Sequence, residues 1–231
     1  MVNGGLIMSV DEIRKMILSL GADVCGFSDI DRFGNAPQGY KPTDIYPACK
    51  TVVVFGVALT KGLLQVAPRL VYGHFNHDVV SRVDAIALNA AKKIEEEYQC
   101  NVVPIPSDSP YEYWDEVKLE GRGLISMKHA AVNAGLGSIG KNSLFLNRKY
   151  GNRLCIGAIL IDKALPSDEL SEDICLPNCH KCIDACPVHA IQDGSTIQKL
   201  CREHTYGITK RGFGTVDCNV CRAICPVRFG R

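Results

Sequence analysis

The chain has 231 residues, a formal net charge of +1 at pH 7 and a charged fraction of 22%. This length is enough for one substantial hydrophobic core and a small additional module. The balanced charge argues against the strongly basic surface of proteins that bind nucleic acids or membranes without specificity. The most apolar run, residues 51–59, is far shorter than the roughly 20 residues of a membrane-spanning helix, so we predict no membrane association.

Helices and strands are predicted to follow one another without a regular alternation. Ser9 and Glu12 have capping-box spacing, and the apolar residues after them predict a helix over 10–20. The one-sided apolar pattern of residues 76–99 predicts the longest helix. Apolar runs predict strands over 23–28, 51–59, 101–106 and 154–162. Residues 29–48, rich in Asp, Gly and Pro, are predicted to be an irregular connection.

A second group of segments suggests where function lies. Residues 107–123 are predicted to form a long loop that carries acids and aromatic residues, and such loops are often functional. Its acids are Asp108, Glu112, Asp115 and Glu116. Ser126 is predicted to begin a helix that Gly135 ends, and 163–173 is predicted to be a boundary. The pattern indicates an α+β or mixed-sheet domain over 1–165 and a separate module over 166–231.

A glycine-rich stretch follows the predicted helix that ends near Ala134. Gly135-Leu-Gly-Ser-Ile-Gly140 satisfies G-x-G-x-x-G, but the dinucleotide fingerprint must follow a strand and open a helix. A phosphate-binding loop needs Ser or Thr at the position of Asn142. A nucleotide site, a turn for chain reversal, and a backbone that approaches a large flat cofactor remain open. The candidate cofactor-binding residues are Gly135, Leu136, Gly137, Gly140, Lys141 and Asn142.

Two cysteine runs near the end of the chain share the pattern Cys-x2-Cys-x3-Cys-Pro-Val. Bacterial two-cluster ferredoxins carry such runs, and the last Cys of each run ligates the other cluster. This crossing assigns one [4Fe–4S] cluster to Cys175, Cys179, Cys182 and Cys225. It assigns the second cluster to Cys186, Cys201, Cys218 and Cys221. Cys175 departs from the usual spacing, since three residues rather than two separate it from Cys179.

Other interpretations of these cysteines fit less well. Zinc knuckles need the Cys-x2-Cys units but not the repeated x3-Cys-Pro. A disulfide framework needs an oxidising compartment, and residues 1–8 have no signal-peptide pattern. We therefore predict a reducing, cytoplasmic location. Cys25, Cys49, Cys100 and Cys155 are predicted to be small buried hydrophobic residues.

Several segments together resemble the epoxyqueuosine reductase family. They are 47–54, the stretch 129–142 that contains Ala-Gly-Leu-Gly-Ser-Ile-Gly-Lys-Asn, 150–151, 157–162 and the two cysteine runs. The layout is more distantly similar to that of reductive dehalogenases. The resemblance implies a nitroreductase-like domain, close to cobalamin-processing proteins, followed by a ferredoxin-like domain with two [4Fe–4S] clusters. It also implies that the clusters reduce cobalamin and that loop 135–142 lies against the corrin.

Two features depart from that family. Epoxyqueuosine reductases have a further C-terminal helical-repeat region that helps to hold transfer RNA, whereas this sequence stops at Arg231; transfer RNA is therefore not the expected substrate. The family also has an Asp in an Asp-x-x-Pro stretch, proposed as a proton donor. The nearest counterpart here, Asp108-Ser-Pro110, has a different spacing. The resemblance implies Asp108 as the candidate catalytic acid, with Glu112 as the reserve.

The sequence thus predicts an iron–sulfur oxidoreductase that passes single electrons to a corrinoid and reduces a small-molecule substrate. One alternative is an electron carrier or maturation partner without substrate chemistry, and another is a flavin in place of the corrinoid. The expected electron donor is a ferredoxin or flavodoxin. Its docking site, or a means of raising a cluster's potential, is predicted at Lys210, Arg211, Arg222 and Arg228.

Overall fold

A computed structural model describes residues 9–192 and 194–231. The α-helices are α1 (Val10–Ser19), α2 (Pro42–Ile45), α3 (Arg69–Tyr98), α4 (Met127–Asn133), α5 (Lys181–Asp184), α6 (Gln198–Thr205) and α7 (Val220–Ala223). The strands are β1 (Val24–Asp29), β2 (Thr51–Ala58), β3 (Val102–Ile105), β4 (Tyr111–Asp115), β5 (Glu120–Gly123), β6 (Ser138–Ile139), β7 (Phe145–Leu146), β8 (Leu154–Ile161), β9 (Ile191–Gln192), β10 (Ser195–Thr196), β11 (Tyr206–Ile208) and β12 (Gly214–Val216).

A four-stranded sheet forms the centre of the molecule, with the strand order β1-β2-β8-β3. Its strands are paired antiparallel throughout. The predicted α+β class is therefore confirmed, but the prediction of a mixed sheet is wrong. An apolar run indicates a strand because buried strands consist of apolar residues. The run carries no information about the direction of the neighbouring strand.

The two middle strands are buried on both faces, which explains why their sequences are continuous apolar runs. Successive side chains of a strand point to opposite faces. Val53 and Phe55 accordingly pack with α1 and α3, whereas Val52 and Val54 pack with α4 on the other face. The sheet thus separates two hydrophobic layers, and the second layer supports the candidate site.

Helix α3 begins at Arg69, seven residues before the predicted start at Asn76. Its early turns expose Leu70, Val71 and Phe75, so they lack the one-sided apolar pattern on which the prediction depended. These turns are held by tertiary contact instead. Gly73 lies against β12, where a Cβ atom would come within 3.4 Å of Val216.

The predicted loop over 107–123 is largely a hairpin of β4 and β5. Its strands are short and mostly exposed, and charged residues interrupt the apolar alternation that identifies a strand from sequence. Residues 29–48 are mainly irregular, as predicted, although they contain a 3-10 helix at Ile30–Phe33 and the single turn α2.

The predicted boundary, 163–173, has no regular structure but is bound to the edge of the sheet. The Asp168 backbone N–H donates to the Phe27 carbonyl at 3.0 Å, and the Asp168 carboxylate accepts from the Phe27 N–H at 3.0 Å. Arg14 pairs with the same carboxylate at 2.8 Å. The connection therefore fixes the cysteine module against the sheet domain.

Among the described residues, none of the helices has the length and apolar character needed to cross a lipid bilayer.

Candidate functional site

The first group of cysteines surrounds a small cavity beside the glycine loop. Its lining includes Cys175, Cys179, Cys182 and Cys225. Burial raises the pKa of the Cys225 thiol, and the proximity of the other three thiols raises it further. The Cys175 thiol therefore lies among the others despite its irregular spacing.

The second group combines Cys186 from the first run with Cys201, Cys218 and Cys221. Burial raises the pKa of Cys221 to about 11, Arg222 opposes this rise, and Cys201, Cys218 and Cys186 add to it. Buried thiols favour their neutral form, and metal binding replaces the proton. Short helices α5 and α7, each carrying the middle of one run, place the two groups side by side.

The last cysteine of each run thus lies with the other run, which is the crossed arrangement that the spacing suggested. Over 9–192 and 194–231, no three His, Cys, Asp or Glu side chains converge closely enough to hold a single metal ion. Each group instead lines a space. A [4Fe–4S] cube takes one thiolate at each of its four irons, so four thiols around a space match its donor set.

A much larger cavity separates the sheet domain from the cysteine module. It consists of two adjoining spaces of about 580 and 620 Å³, which together we call the central cavity. Residues that line both spaces include Asp108, Tyr111, Lys128, His129 and Tyr206. All four cysteines of the second group line the first space. The second group therefore faces the cavity directly, whereas the first group lies apart from it.

Asp108 lies on the cavity wall in an exposed segment after β3. The preceding residue holds this segment in place, because the Ser107 N–H donates to Asp84 at 2.8 Å and its hydroxyl donates to the Ile156 carbonyl at 2.7 Å. Asp108 is close enough to Cys155 and Tyr206 to raise the pKa of both groups, although burial is the larger cause. Glu112 is exposed and is not part of the cavity lining.

Helix α4 contributes two basic side chains to the cavity. Burial lowers the pKa of Lys128, whose ammonium donates to the Ser143 carbonyl at 2.7 Å. Burial, and then the positive charge of Lys128, lowers the pKa of His129. The His129 Nδ1 atom lies 2.7 Å from the Ser126 hydroxyl. Burial therefore favours the neutral form of the His129 imidazole, and the Ser126 hydroxyl orients the ring.

The hairpin β4–β5 closes one side of the cavity and is joined to the cysteine module. Gln198 accepts from the Gly121 N–H at 3.0 Å and donates to its carbonyl at 3.2 Å. Arg202 lies over the rings of Tyr111 and Trp114, with its guanidinium carbon 5.5 and 5.1 Å from the ring centroids. Arg202 directly follows the predicted ligand Cys201, so the hairpin contacts the second cysteine group through one residue.

The glycine loop packs mainly against protein. A Cβ atom on Gly135 would lie 2.1 Å from the Glu169 carbonyl oxygen, and one on Gly137 would lie 1.9 Å from that of Leu146. Leu136 packs against Gly26 of β1. None of these three residues lines the central cavity, so the structure does not bring them to the predicted cofactor position. The loop follows α4 and leads into β6, opposite to the order of a dinucleotide fingerprint.

The end of the loop contacts both cysteine groups. The Lys141 ammonium donates to the carbonyls of Leu176, Pro177 and Cys179, at 3.5 Å for Leu176 and 3.2 Å for Cys179. The Asn142 amide donates to the Cys221 carbonyl at 3.1 Å. Gly140 lines the small cavity, and Asn142 lines both the small and the central cavity. Cofactor contact by this loop stays a prediction, centred on Asn142.

Comparison with known proteins identifies relatives of one kind. No protein-family model matches the chain. An epoxyqueuosine reductase from Prochlorococcus marinus (strain NATL2A) is 33% identical over 108 residues, which cover 42% of this chain and 34% of that protein. One from Staphylococcus aureus (strain NCTC 8325 / PS 47) is 22% identical over 98% of this chain and 67% of the relative. The chain is therefore similar to epoxyqueuosine reductases, with 33% identity over about two fifths of its length.

The fold is similar to those of solved epoxyqueuosine reductase and reductive dehalogenase structures. Epoxyqueuosine reductase from Streptococcus thermophilus superposes with a TM-score of 0.65 at 19% identity, covering 97% of this chain and 67% of that one. A reductive dehalogenase, whose structure suggests a mechanism for B12-dependent dehalogenation, gives a TM-score of 0.74 at 18% identity. It covers 98% of this chain and 33% of the dehalogenase. The chain matches about a third of the length of the first curated relatives.

In this protein, the basic residues predicted to form one docking site lie apart. Lys210 and Arg211 are exposed between β11 and β12. Arg222 points inward, where it lines the central cavity and bonds to the Asn152 carbonyl. Arg228 lies over the Phe229 ring at 4.7 Å, near the first cysteine group. Residues close in sequence are separated here by the tight turns of the cysteine runs.

Sequence reasoning missed several cavity residues. Gln198, Arg202 and Tyr206 belong to segments that carry no recognised motif, and only their nearness in sequence to the predicted ligand Cys201 could have drawn attention to them. Lys128 was treated only as a neighbour of His129. Tyr72 is buried in the core formed with α3, and burial raises its pKa.

Proposed function

We propose that the protein is an iron–sulfur oxidoreductase in which two [4Fe–4S] clusters pass single electrons to a corrinoid in the central cavity. One observation carries this proposal: one group of four thiols lies apart from the cavity, and the neighbouring group opens directly onto it. That order suits electron transfer from the protein surface, through the first group and the second, to the cavity. The final acceptor would be a small-molecule substrate.

The lining of the central cavity fits a corrinoid. Its two spaces can take a large ligand, and its walls combine apolar side chains with a few polar groups, as cofactor sites do. Asn152, only 1% exposed, has a side-chain oxygen without a hydrogen-bond partner among the described residues. The amide substituents of a corrin ring could satisfy such an acceptor. When bound, a corrinoid supplies a cobalt centre that is a strong reductant in its Co(I) state.

The chain's own residues have separable roles in this scheme. Asp108 lies on the cavity wall and would give a proton to the substrate as two electrons arrive. Ser107 holds the Asp108 segment to Asp84 and β8, so the carboxyl group keeps its position. Tyr111 and Arg202 close the side of the cavity, which would limit access of water. Lys128 supplies a positive charge that would favour an anionic substrate or corrinoid substituent.

Anaerobic reconstitution tests the proposal. Protein supplied with iron, sulfide and cobalamin should contain about eight irons per chain, by the ligand count for two clusters. It should also give the electron paramagnetic resonance signal of base-off cobalt. If cobalamin neither binds nor is reduced, the corrinoid part is wrong. Protein purified without air that carries a flavin spectrum would favour the flavin alternative, and clusters without any cavity ligand would favour the electron carrier.

Replacing Asp108 with Asn is expected to lower turnover by about 100-fold, the lower end of the usual contribution of a general acid. The amide has nearly the same shape but gives up no proton. A suitable small-molecule probe is 3-bromo-4-hydroxybenzoic acid, which is bound in a solved structure of a similar reductive dehalogenase. Product formation by the reconstituted protein is the measurement.

The matched control is Glu112→Gln, which removes an acid from the same segment but outside the cavity lining. Its turnover should remain within about twofold of the unchanged protein, as expected for an exposed position. Equal turnover by the Asp108→Asn variant and the unchanged protein would show that another group supplies the proton.

A further inference from the structure

Four cations surround two aromatic rings on the side of the molecule next to the first cysteine group. Around Phe229, the charged atoms of Arg228, Lys61 and Arg153 lie 4.7, 5.7 and 6.0 Å from the ring centroid. Around Tyr150, those of Lys149 and Arg153 lie at 5.1 and 5.7 Å. We call this surface the basic patch: Lys61, Lys149, Tyr150, Arg153, Arg228 and Phe229.

The patch is assembled by close packing of two segments that are distant in sequence. The turn 147–151 lies against the segment 227–231, where the Arg231 N–H donates to the Arg148 carbonyl at 2.8 Å. Gly151 and Gly230 have φ values of +61° and +105°, which favour glycine. A Cβ atom on either would lie within 2.5 Å of the facing backbone. This backbone contact makes the patch a fixed surface.

The positive charge of the patch is not neutralised locally. Among the described residues, none of its four cations has a carboxylate within 4.0 Å. At its edge, Arg148 pairs with Glu172 at 3.1 Å, and both side chains are exposed. Arg153 is only 7% exposed and its Nε atom has no hydrogen-bond partner. The Arg153 guanidinium donates to the Leu59 carbonyl, and burial lowers its pKa while the nearby Asp23 opposes that change.

The patch adjoins the first cysteine group through Arg228. The Arg228 backbone N–H and its guanidinium both donate to the Cys225 carbonyl, at 3.1 and 3.2 Å. Its neighbour Val227 lines the small cavity and packs in one cluster with Cys175 and Cys225. The first group is also the one that does not open onto the central cavity. The patch is therefore the protein surface at the start of the proposed electron path.

We propose that the basic patch is the docking surface for an acidic flavodoxin-like electron donor, which reduces the cluster held by the first cysteine group. The inference rests on the proposed function and adds the entry point of the electrons. Exposed cations steer an acidic partner, and the rings of Tyr150 and Phe229 supply the aromatic contacts that interfaces favour. One electron leaves the anionic flavin hydroquinone, which becomes the neutral semiquinone, and the cluster gains that electron. No bond is broken.

Charge reversal at two exposed patch residues tests this, because it leaves the Arg228 contact with Cys225 in place. The variant is Lys61→Glu with Lys149→Glu. The matched control is Lys210→Glu with Arg211→Glu, an equal charge change at two exposed residues in the turn between β11 and β12. Lys210 and Arg211 are two of the four basic residues that the sequence suggested for docking.

Two measurements use flavodoxin as the probe. Binding of oxidised flavodoxin is followed by titration at low and at high salt, and cluster bleaching by flavodoxin hydroquinone is followed by stopped flow. At low salt, the patch variant should bind flavodoxin about tenfold more weakly, and its cluster should be reduced about tenfold more slowly. Both differences should shrink as salt screens the charges. The affinity and the reduction rate of the control should remain within about twofold of those of the unchanged protein, since exposed charges outside the interface contribute little.

Each other outcome overturns the inference. Equal losses in both variants would reflect net charge, and a loss only in the control would place docking at the β11–β12 turn. No loss in either would exclude charge-guided docking at the patch. Weaker binding of an RNA stem loop with unchanged flavodoxin binding would assign the patch to nucleic acid.

Failure of the docking inference can be told apart from failure of the proposed function. Titration with oxidised flavodoxin involves no electron transfer, so in the reconstituted protein it tests docking separately from cluster reduction. Iron content and cluster reduction by dithionite test the proposed function without a docking partner. Thermal unfolding of both variants should match that of the unchanged protein, because all four substituted side chains are exposed.

Discussion

Removing Cys186 together with Cys218 is expected to destroy one cluster and leave the other intact. The structure places both thiols in the second group, although Cys186 belongs to the first run in sequence. The double alanine variant should therefore retain about four irons per chain after anaerobic reconstitution, half of the two-cluster count. After reduction, the remaining cluster should give an unaltered electron paramagnetic resonance signal.

The matched control is Cys182→Ala with Cys186→Ala, two cysteines of the same run. In the crossed arrangement these belong to different groups, so each cluster loses one ligand and both signals should change. If ligation followed the runs instead, the results would be exchanged: this pair would spare one cluster, and Cys186 with Cys218 would damage both. Iron analysis and spectroscopy of the two variants side by side decide between these arrangements.

Replacing Gly137 with Ala is expected to lower the free energy of unfolding by about 3 kcal/mol, the upper part of the range for overpacking a tightly packed site. The added Cβ would lie 1.9 Å from the Leu146 carbonyl oxygen and 2.9 Å from the Phe145 ring. A backbone carbonyl cannot move aside as a flexible side chain can. The pairing of β6 with β7 would have to open. Chemical denaturation of the unchanged and variant proteins measures the difference.

Gly62→Ala is the control for this prediction, because a Cβ atom at Gly62 meets nothing within 4 Å and its φ is not positive. Its unfolding free energy should change by no more than about 0.5 kcal/mol. A small effect at both positions would show that the loop relaxes without cost. The glycines would then be retained for contact with a cofactor, as the sequence suggested, and cofactor affinity would be the property to measure.

Local sequence signals were sufficient where burial is continuous. The predicted strands over 51–59 and 154–162 correspond closely to Thr51–Ala58 and Leu154–Ile161, because strands buried on both faces are unbroken apolar runs. The helix after Ser126 was also found, since it has a clear beginning and a terminating glycine. The start of α3 and the hairpin β4–β5 were missed, because their exposed segments depend on contacts with β12 and Gln198.

The glycine loop shows how a motif can be found correctly and interpreted incompletely. The sequence indicated that small residues were needed for close approach, and the structure gives the partners as the Glu169 and Leu146 carbonyls. A steric requirement for glycine is visible in sequence. The atoms that impose it are not, because they come from segments brought together only by folding.

The spacing of the cysteines can be read from the sequence by itself, and it determined both the thiolate ligands and the number of clusters proposed. The sequence also determined the α+β class and the main buried strands. Those properties depend on neighbouring residues along the chain, through side-chain chemistry and periodicity. Tertiary structure decided that the second cysteine group faces the central cavity and that Asp108, Lys128 and His129 share its wall. It also brought Lys61, Lys149 and Arg228 into one basic patch, because charges from three distant segments become neighbours only when those segments pack.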